Sequence, residues 1–354
     1  MSDKGVRNLS LRFLVLTLVA LCSTTSGHLA RAAYSSQIYR LTGSIKIGGD
    51  GGWDYLALSP NGHALYVTRT THTMVIDLAT GQSTADIRGL RIAHGVVLVP
   101  DAGRGFVSDG GAGTVVVFDL NTGAELGRVA AADDADAIIY DPASKRVLVF
   151  CGDAHQMVAI APDVDPKRGK AIAKVDLGGT PEYGVADGRG EIFVNIVDRD
   201  ELAVIDSAAM KVIARWPTGA GKQPTALAID PKTRRLFIGC RNGRLIVMNA
   251  DTGVIVADFP IGQGVDGVAF IDGLILASCF DGTMSVFREI AADKFVPMQT
   301  VSTAVGARTL TVDPSSGTVY LPTAEMKTAG GHRYEQAPGT FKILVLTRTA
   351  EKNP

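Results

Sequence analysis

Seven positions in this sequence combine polar side chains with regular spacing, and six of the seven are ionisable. Each lies at the head of a short apolar segment, six residues before the turn that ends the segment. These positions, which we call the ring residues, are Asp54, His94, Asp136, Glu182, Thr225, Asp266 and Arg308. Charges gathered in a site of low dielectric shift one another's pKa values, which is typical of binding and catalytic sites. We therefore expect these residues to bind a small ligand or a protein partner.

A divalent metal ion is the cofactor that these residue types could hold. Imidazole and carboxylate groups are suitable ligands for such ions, and the candidates are His94, Asp54, Asp136 and Glu182. With a metal as Lewis acid and a carboxylate as general base, the site would be that of a lactonase-like hydrolase. Neither a Gly-x-Ser-x-Gly elbow, a Walker loop nor a His-Glu-x-x-His motif occurs in the sequence.

Aromatic residues stand beside the ring residues and extend the candidate ligand site. They are Trp53, Tyr55 and Tyr183. Their rings could stack on a ligand or pack between structural elements, and the sequence leaves both open. A purely structural interpretation of the charges also stays open, in which Arg308 and His94 balance the carboxylates of a solvated channel.

A repeated unit of four short strands must position these residues. Residues 225–262 show it best, because four apolar or β-branched segments are separated by turns at Asp230-Pro231, Asn242-Gly243 and Asp251-Thr252-Gly253. The turn after the first segment recurs at intervals of 40, 42, 46, 43, 41 and 42 residues, at Pro60, Pro100, Pro142, Gly188, Pro231, Asp272 and Pro314. Repeats of this length predict an all-β fold, a seven-bladed β-propeller of four-stranded antiparallel blades.

In a propeller, the first strand of each blade lines the central channel, so the ring residues should meet at one mouth. The loops between second and third strands share that face and add His72, Asp109, Asp153, His155, Asp198, Arg199, Asp200, Arg241 and Asp281. The corresponding loop of blade seven, residues 322–340, is much longer, and loops of this length are functional or disordered.

The two ends of the chain are expected to complete one blade together. Blade seven lacks a fourth strand, whereas residues 38–47 form an isolated strand before blade one. Pairing of residues 38–47 with 341–347 would close the ring and cover an exposed sheet edge. Residues 33–354 are therefore expected to form a single domain.

Residues 1–32 have the features of a secretory signal peptide, namely a basic start, an apolar run and Ala30-Arg31-Ala32 at the end. Their removal takes away four basic residues and one acidic residue and changes the net charge from −1 to −4. This charge disfavours nucleic acid as a partner. We expect a periplasmic, secreted or cell-surface protein, monomeric and without a membrane span after cleavage, whose cysteines Cys151, Cys240 and Cys279 are buried and unpaired.

Two of the repeats resemble the YVTN β-propeller repeat. The resemblance rests on residues 65–69 (LYVTR) with 74–81 (MVIDLATG), and on residues 236–238 with 247–253. It extends over residues 38–347 and is nearest to the YncE-like exported propellers, although Arg69 replaces the asparagine of the name motif. The resemblance implies the fold and an exported location. It implies little about chemistry, because propellers host many unrelated functions.

Overall fold

The computed structural model describes residues 37–328 and 334–349, and in this part of the chain it confirms the all-β, seven-bladed propeller. Seven four-stranded antiparallel sheets are present among these residues, together with one small hairpin. The predicted signal peptide, residues 1–32, lies outside the described residues. No helix among the described residues is long and apolar enough to cross a membrane.

The first three blades follow one another along the chain, each ordered from the channel outwards. Blade one consists of β2 (Trp53–Leu58), β3 (Ala64–Arg69), β4 (His72–Asp77) and β5 (Ser83–Arg88). Blade two consists of β6 (Ala93–Val99), β7 (Arg104–Asp109), β8 (Thr114–Asp119) and β9 (Glu125–Ala130), with 3₁₀ turns at Pro100–Ala102 and Gly110–Ala112. Blade three consists of β10 (Ala135–Asp141), β11 (Arg146–Cys151), β12 (Gln156–Ile160) and β13 (Ala173–Asp176).

Blades four to six repeat this arrangement. Blade four consists of β14 (Pro181–Ala186), β15 (Glu191–Ile196), β16 (Glu201–Asp206) and β17 (Lys211–Pro217). Blade five consists of β18 (Pro224–Asp230), β19 (Arg235–Cys240), β20 (Arg244–Asn249) and β21 (Ile255–Pro260). Blade six consists of β22 (Val265–Ile271), β23 (Leu274–Cys279), β24 (Thr283–Ala291) and β25 (Lys294–Ser302).

Blade seven is built from both ends of the chain, as predicted. Its strands, from the channel outwards, are β26 (Thr311–Val312), β27 (Val319–Thr323), β30 (Lys342–Arg348) and β1 (Tyr39–Lys46). The register of β1 on β30 runs from Tyr39 opposite Arg348 to Lys46 opposite Lys342. Gln299 of blade six secures the closing strand, because its side chain accepts hydrogen bonds from the N–H groups of Ile38 and Tyr39, both at 2.9 Å.

The turn between third and fourth strands shows how local sequence sets the blade. In blade one, Asp77 Oδ1 accepts hydrogen bonds from the Thr80 N–H at 2.7 Å and from the Thr80 hydroxyl at 2.8 Å. Gly81 follows with φ of +69°, a conformation open to glycine without steric cost. The same Asp/Asn-x-x-Thr-Gly turn begins at Asp119 in blade two and at Asn249 in blade five.

The hydrophobic core lies between the blades. Phe106 and Val117 of blade two, for example, pack with Val147 and Val149 of blade three, and all four are fully buried. Small β-branched side chains suit these interfaces because they fill the gap between two pleated sheets. Cys151, Cys240 and Cys279 are buried in such interfaces, and none of them is in a disulfide bond within the described part of the chain.

Two local features of blade seven differ from the sequence expectation. Its first strand shortens to Thr311–Val312, so that Arg308 precedes the strand instead of heading it. The long loop 322–340 contains a hairpin of β28 (Met326–Thr328) and β29 (Tyr334–Gln336), while residues 329–333 lie outside the described part. The Tyr334 ring packs edge-on against Phe280 of blade six, with centroids 5.4 Å apart.

Candidate ligand-binding site

A β-bulge places the ring residue in each of the first six blades. In these blades the ring residue is the second residue of the first strand, and the register with the second strand shifts at that point. A bulge leaves a residue outside the regular ladder and redirects its side chain. The repeat therefore places the ring residue at an equivalent backbone position in each of these blades, while the direction of its side chain depends on its surroundings.

His94 is surrounded by three carboxylates at the channel mouth. Its Nδ1 lies 2.8 Å from Asp54 Oδ2 and 3.4 Å from Asp136 Oδ1, and its Nε2 lies 3.9 Å from Asp134 Oδ1. Burial alone would lower the pKa of His94, but the hydrogen bond to Asp54 and the charges of Asp136, Asp54 and Asp134 outweigh burial and raise the pKa to about 9. At neutral pH the imidazole is therefore a cation.

Asp136 is the carboxylate of this cluster whose hydrogen bonding is incomplete. Its Oδ1 is buried and has no hydrogen-bond partner among the described residues, because the Nδ1 proton of His94 is donated to the nearer Asp54. Burial raises the pKa of Asp136 well above its usual range, with the charge of His94 acting against that rise. An extra proton or a bound cation would relieve this carboxylate.

Two glycines make room for the cluster. A Cβ on Gly110 would lie 2.9 Å from the His94 ring, and a Cβ on Gly152 would lie 2.4 Å from Asp134 Oδ2. Both distances are too short for ordinary contact, so any larger residue would displace one of the charged side chains. Asp134 itself adopts a φ of +56°, which aspartate tolerates better than most residues.

Two further ion pairs complete the charged group. Arg308 Nε lies 2.6 Å from Asp266 Oδ2, and Arg241 Nη2 lies 2.9 Å from Glu182 Oε1. Burial raises the pKa of Glu182 to about 7, although Arg241 opposes the shift. Burial also raises the pKa of Asp266 against the effect of Arg308. The group as a whole has five carboxylates and three cationic side chains, and so an acidic excess.

Tyr55 and Tyr183 form the floor beneath these charges. Their rings meet across the channel from blades one and four, with centroids 5.1 Å apart. Burial raises the pKa of Tyr55 well above 10, and the charges of Asp266, Asp136, Asp54 and Glu182 raise it further. Carboxylates from four blades thus act on the pKa of the Tyr55 hydroxyl. Both rings line a small cavity of about 40 Å³, and Tyr183 also lines a wider one of about 540 Å³ towards the opposite mouth.

Two of the candidate residues are not part of this group. Trp53 packs between blades one and seven, with its ring centroid 5.6 Å from that of Phe341. Thr225 is fully buried, and its hydroxyl donates to the carbonyl of Gln223 at 3.0 Å. Both flank or occupy a bulge, where sequence position alone does not fix the direction of a side chain.

Most loop carboxylates on this face accept hydrogen bonds from backbone N–H groups. Asp109 accepts hydrogen bonds from the N–H groups of Arg91 and Ile92, and Asp198, Asp200 and Asp281 cap connecting segments in the same way. Arg241 is the loop residue that joins the site. Asp134 was not among the residues predicted from the sequence. Its position two residues before Asp136 could have indicated that it lies near the same channel mouth.

The Asp54, His94 and Asp136 cluster fits a divalent cation in ligand type. One ligand atom from each residue lies within 4.8 Å of the others, and Asp136 Oδ1, which makes no hydrogen bond to the described residues, is available as a ligand to such an ion. The proton on His94 competes, because imidazole binds metal only in its neutral form. Glu182, the fourth candidate ligand, is paired with Arg241 and does not belong to this cluster.

Comparisons with known proteins support the fold. No protein-family model and no curated protein matches the chain. Among solved structures, a chain of Kuenenia stuttgartiensis hydrazine synthase is similar, with a TM-score of 0.65 and 13% identity over 76% of this chain and 92% of that chain. At this identity the likeness shows the propeller fold alone.

Proposed function

We propose that this protein is an exported, YVTN-type propeller that binds a small polar ligand at the charged mouth of its channel. The observation that carries the proposal is the group of five carboxylates and three cationic side chains above the Tyr55 and Tyr183 floor. Concave sites with a few convergent polar groups and perturbed pKa values are typical of ligand binding. A protein partner that inserts a basic side chain is the alternative occupant.

The acidic excess favours a ligand with an ammonium group. Asp136 has a buried oxygen without a hydrogen bond to the described residues, and burial raises the pKa of Glu182 to about 7, so both carboxylates would gain from a nearby cation. A tyrosine face also attracts cations, by about 0.5–2 kcal/mol. A diamine is therefore a better probe than a neutral polyol of the same size.

The test is calorimetric titration of the full-length mature protein with 1,4-diaminobutane, glucose and Mn²⁺. We expect saturable binding of the diamine and a loss of roughly tenfold in affinity in Asp136→Asn, equivalent to about 1.4 kcal/mol. Asp101→Asn is the matched control, because Asp101 is exposed in the turn after β6. Absence of binding by all three probes would argue against a small-ligand site of this chemistry.

A metal-dependent, lactonase-like hydrolase is the second candidate, favoured by the Asp54, His94 and Asp136 cluster. A bound ion would supply Lewis acidity, and a neighbouring carboxylate such as Glu182 could accept a proton from water. Elemental analysis before and after chelation, with lactone hydrolysis as the activity assay, tests this candidate. A protein that neither retains nor binds metal would exclude it.

Export rests on the sequence of residues 1–32 and has its own test. Amino-terminal sequencing of protein from fractionated cells should show a mature chain that begins at Ala33 in the envelope or medium. A chain that retains Met1 in the cytoplasm would contradict the proposal of export without affecting that of ligand binding.

A further inference from the structure

Buried hydroxyl groups connect each of several blades to the ring residue of the next blade. Thr68, the penultimate residue of β3, is fully buried, and its Oγ1 lies 2.7 Å from the carbonyl oxygen of His94 in blade two. Ser108 occupies the same place in β7 and donates to the carbonyl of Asp136 in blade three. Each hydroxyl therefore holds the backbone of a charged residue in the neighbouring blade.

Two more hydroxyls make bonds of the same kind, that of Ser278 from the same place in its strand and that of Thr309 from the position after Arg308. Ser278, again penultimate in its strand β23, lies with its Oγ 2.5 Å from the carbonyl oxygen of Arg308 in blade seven. Thr309 then links blade seven to blade one, because its Oγ1 lies 2.9 Å from the carbonyl oxygen of Asp54. Both side chains are fully buried.

These four bonds mark one contiguous arc of the ring. The residues whose carbonyls are held belong to blades seven, one, two and three, in the order Arg308, Asp54, His94 and Asp136. At the equivalent place in blades three and five the chain has Phe150 and Gly239, which offer no side-chain hydrogen bond. In blade four, Asn195 binds the carbonyl of Ala226, which is not a ring residue, at 3.1 Å.

For Asp54, His94 and Asp136, which lie at bulges, such a bond adds a backbone restraint that the strand pairing lacks. The register shift removes part of the ladder that would otherwise fix the backbone at that point. Glycines allow the close approach: a Cβ on Gly95 would lie 3.2 Å from the Asp136 carbonyl oxygen, and one on Gly267 would lie 2.9 Å from that of Arg308. A held carbonyl fixes the peptide plane and, with it, the direction in which Cβ leaves the chain.

We propose that Thr68, Ser108, Ser278 and Thr309 are positioning residues for the ligand site, and that the ligand is anchored by the arc of Arg308, Asp54, His94 and Asp136. This inference rests on the proposed function and adds which part of the ring anchors the ligand. Glu182 of blade four and Asp266 of blade six lie outside the arc and adjust its electrostatics, Asp266 through its ion pair with Arg308. Preorganisation of this kind is what separates a binding site from a set of nearby charges.

Shape-matched substitutions in the mature protein test the proposal. Thr68→Val removes the hydroxyl and keeps the shape, whereas Thr68→Ser keeps the hydroxyl. Ser108→Ala removes the hydrogen bond to the Asp136 carbonyl. Asn195→Ala is the control, because it removes an inter-blade bond of the same kind outside the arc. The readouts are the affinity for 1,4-diaminobutane and the ¹⁵N chemical shifts of the His94 ring, with thermal unfolding to confirm folding.

The expected result separates a positioning role from a purely structural one. Thr68→Val and Ser108→Ala should each lower the affinity for the diamine roughly tenfold, which corresponds to the free energy of about one hydrogen bond. Both substitutions should also shift the ¹⁵N signals of the His94 ring. Thr68→Ser and Asn195→Ala should resemble the wild type in both readouts. The proposal is overturned by wild-type His94 signals in Thr68→Val and Ser108→Ala, by failure of Thr68→Ser to restore them, or by an equal effect of Asn195→Ala.

The two proposals fail separately. If wild-type protein does not bind the diamine, the proposed ligand class is wrong, and the His94 signals of the same variants still decide whether the hydroxyls position the arc. If the diamine binds and the His94 ring signals are unchanged when the hydroxyls are removed, the proposal of ligand binding stands and the positioning role is excluded.

Discussion

At the scale of single residues, the charge state of His94 controls how the protein responds to pH. Its pKa is about 9 in the folded state, against about 6.5 in an unfolded chain. A raised pKa contributes stability that is fully present below pH 6.5 and is lost as the pH rises through 9. The pKa of Glu182, raised from 4.5 to about 7, acts in the same direction at lower pH, because its contribution is lost as the pH rises from 4.5 through 7.

We therefore predict that the free energy of unfolding decreases between pH 6.5 and 9. The part due to His94 is of the order of 3 kcal/mol, and His94→Gln should remove it. Urea unfolding at pH 6, 7.5 and 9 measures the effect. His63→Gln is the control, since His63 is exposed in a turn between β2 and β3, and an equally flat profile in that variant would contradict the assignment to His94.

The same pKa shifts the expected pH range of metal binding. An unperturbed histidine would begin to lose a metal ion below about pH 6.5, whereas a His94 with pKa about 9 already resists binding at neutral pH. If Mn²⁺ binds, its affinity should rise between pH 7 and 9, by up to roughly tenfold for each pH unit. Calorimetry across this range gives the answer, and an affinity independent of pH would place the ion away from His94.

Gly110 provides a third prediction at this scale. A Cβ there would lie 2.9 Å from the His94 ring, so Gly110→Ala should displace the imidazole and weaken diamine binding by roughly tenfold or more. Gly43→Ala is the control, because a Cβ at Gly43 meets nothing within 4 Å. Calorimetric titration of both variants, with an unfolding curve for each, checks this. Unchanged affinity in Gly110→Ala would show that His94 is not at the ligand.

At the scale of elements, local patterns predicted the blades well because each blade is made by short-range chemistry. Turns such as 77–81 form from their own residues, and the shared offset of the ring residues follows from equivalent strands sharing one orientation. Contacts between blades could not be predicted from these local patterns. The β-bulges, the inter-blade hydroxyl bonds, the approach of Asp134 to His94 and the packing of Trp53 on Phe341 depend on a neighbouring blade.

Arg69 is an element-scale example, because the sequence showed only that it departs from the YVTN motif. Its side chain is 1% exposed and donates to the carbonyls of Asp50, Gly51 and Gly52 at 2.8, 2.9 and 3.0 Å. Its guanidinium also stacks 3.7 Å from the centre of the Phe341 ring. Arg69 thus connects the segment between β1 and β2 to Phe341, the residue that precedes β30 of blade seven.

We predict that Arg69→Met lowers the free energy of unfolding by about 2–4 kcal/mol. The apolar length of the side chain is kept, but several charge-assisted hydrogen bonds and a cation–π contact are lost. Arg88→Met, at a side chain that is 80% exposed, should change stability by about 0.5 kcal/mol or less. Denaturant unfolding of both variants compares them, and similar values would mean that solvent replaces the Arg69 contacts.

At the scale of the whole molecule, closure of the ring holds the charged mouth together. The arc of ring residues runs from blade seven through blade one, and β1 contributes to this junction because Ile45 packs in the same apolar cluster as Leu65 and Ile76 of blade one. Ile38 and Tyr39 pack into the interface between blades six and seven, and β1 covers the outer edge of β30 along seven residue pairs. Loss of β1 would therefore expose β30 as an unpaired edge strand. It would also make the positions of the ring residues in blades seven and one less fixed.

Deletion of residues 33–48 should lower the melting temperature by roughly 10 °C or more and also weaken diamine binding. A circular permutant is the matched control. The Thr349 N–H donates to the Ile38 carbonyl at 2.9 Å, so a short Asn-Gly turn can join residue 349 to residue 38, with new ends in the exposed 121–122 turn. This permutant keeps β1 on β30 while changing the chain order, and it should retain stability and binding. If the deletion variant melted like the intact protein, the contribution of β1 to closure would be refuted; if the permutant failed as the deletion does, chain order rather than strand pairing would hold the ring.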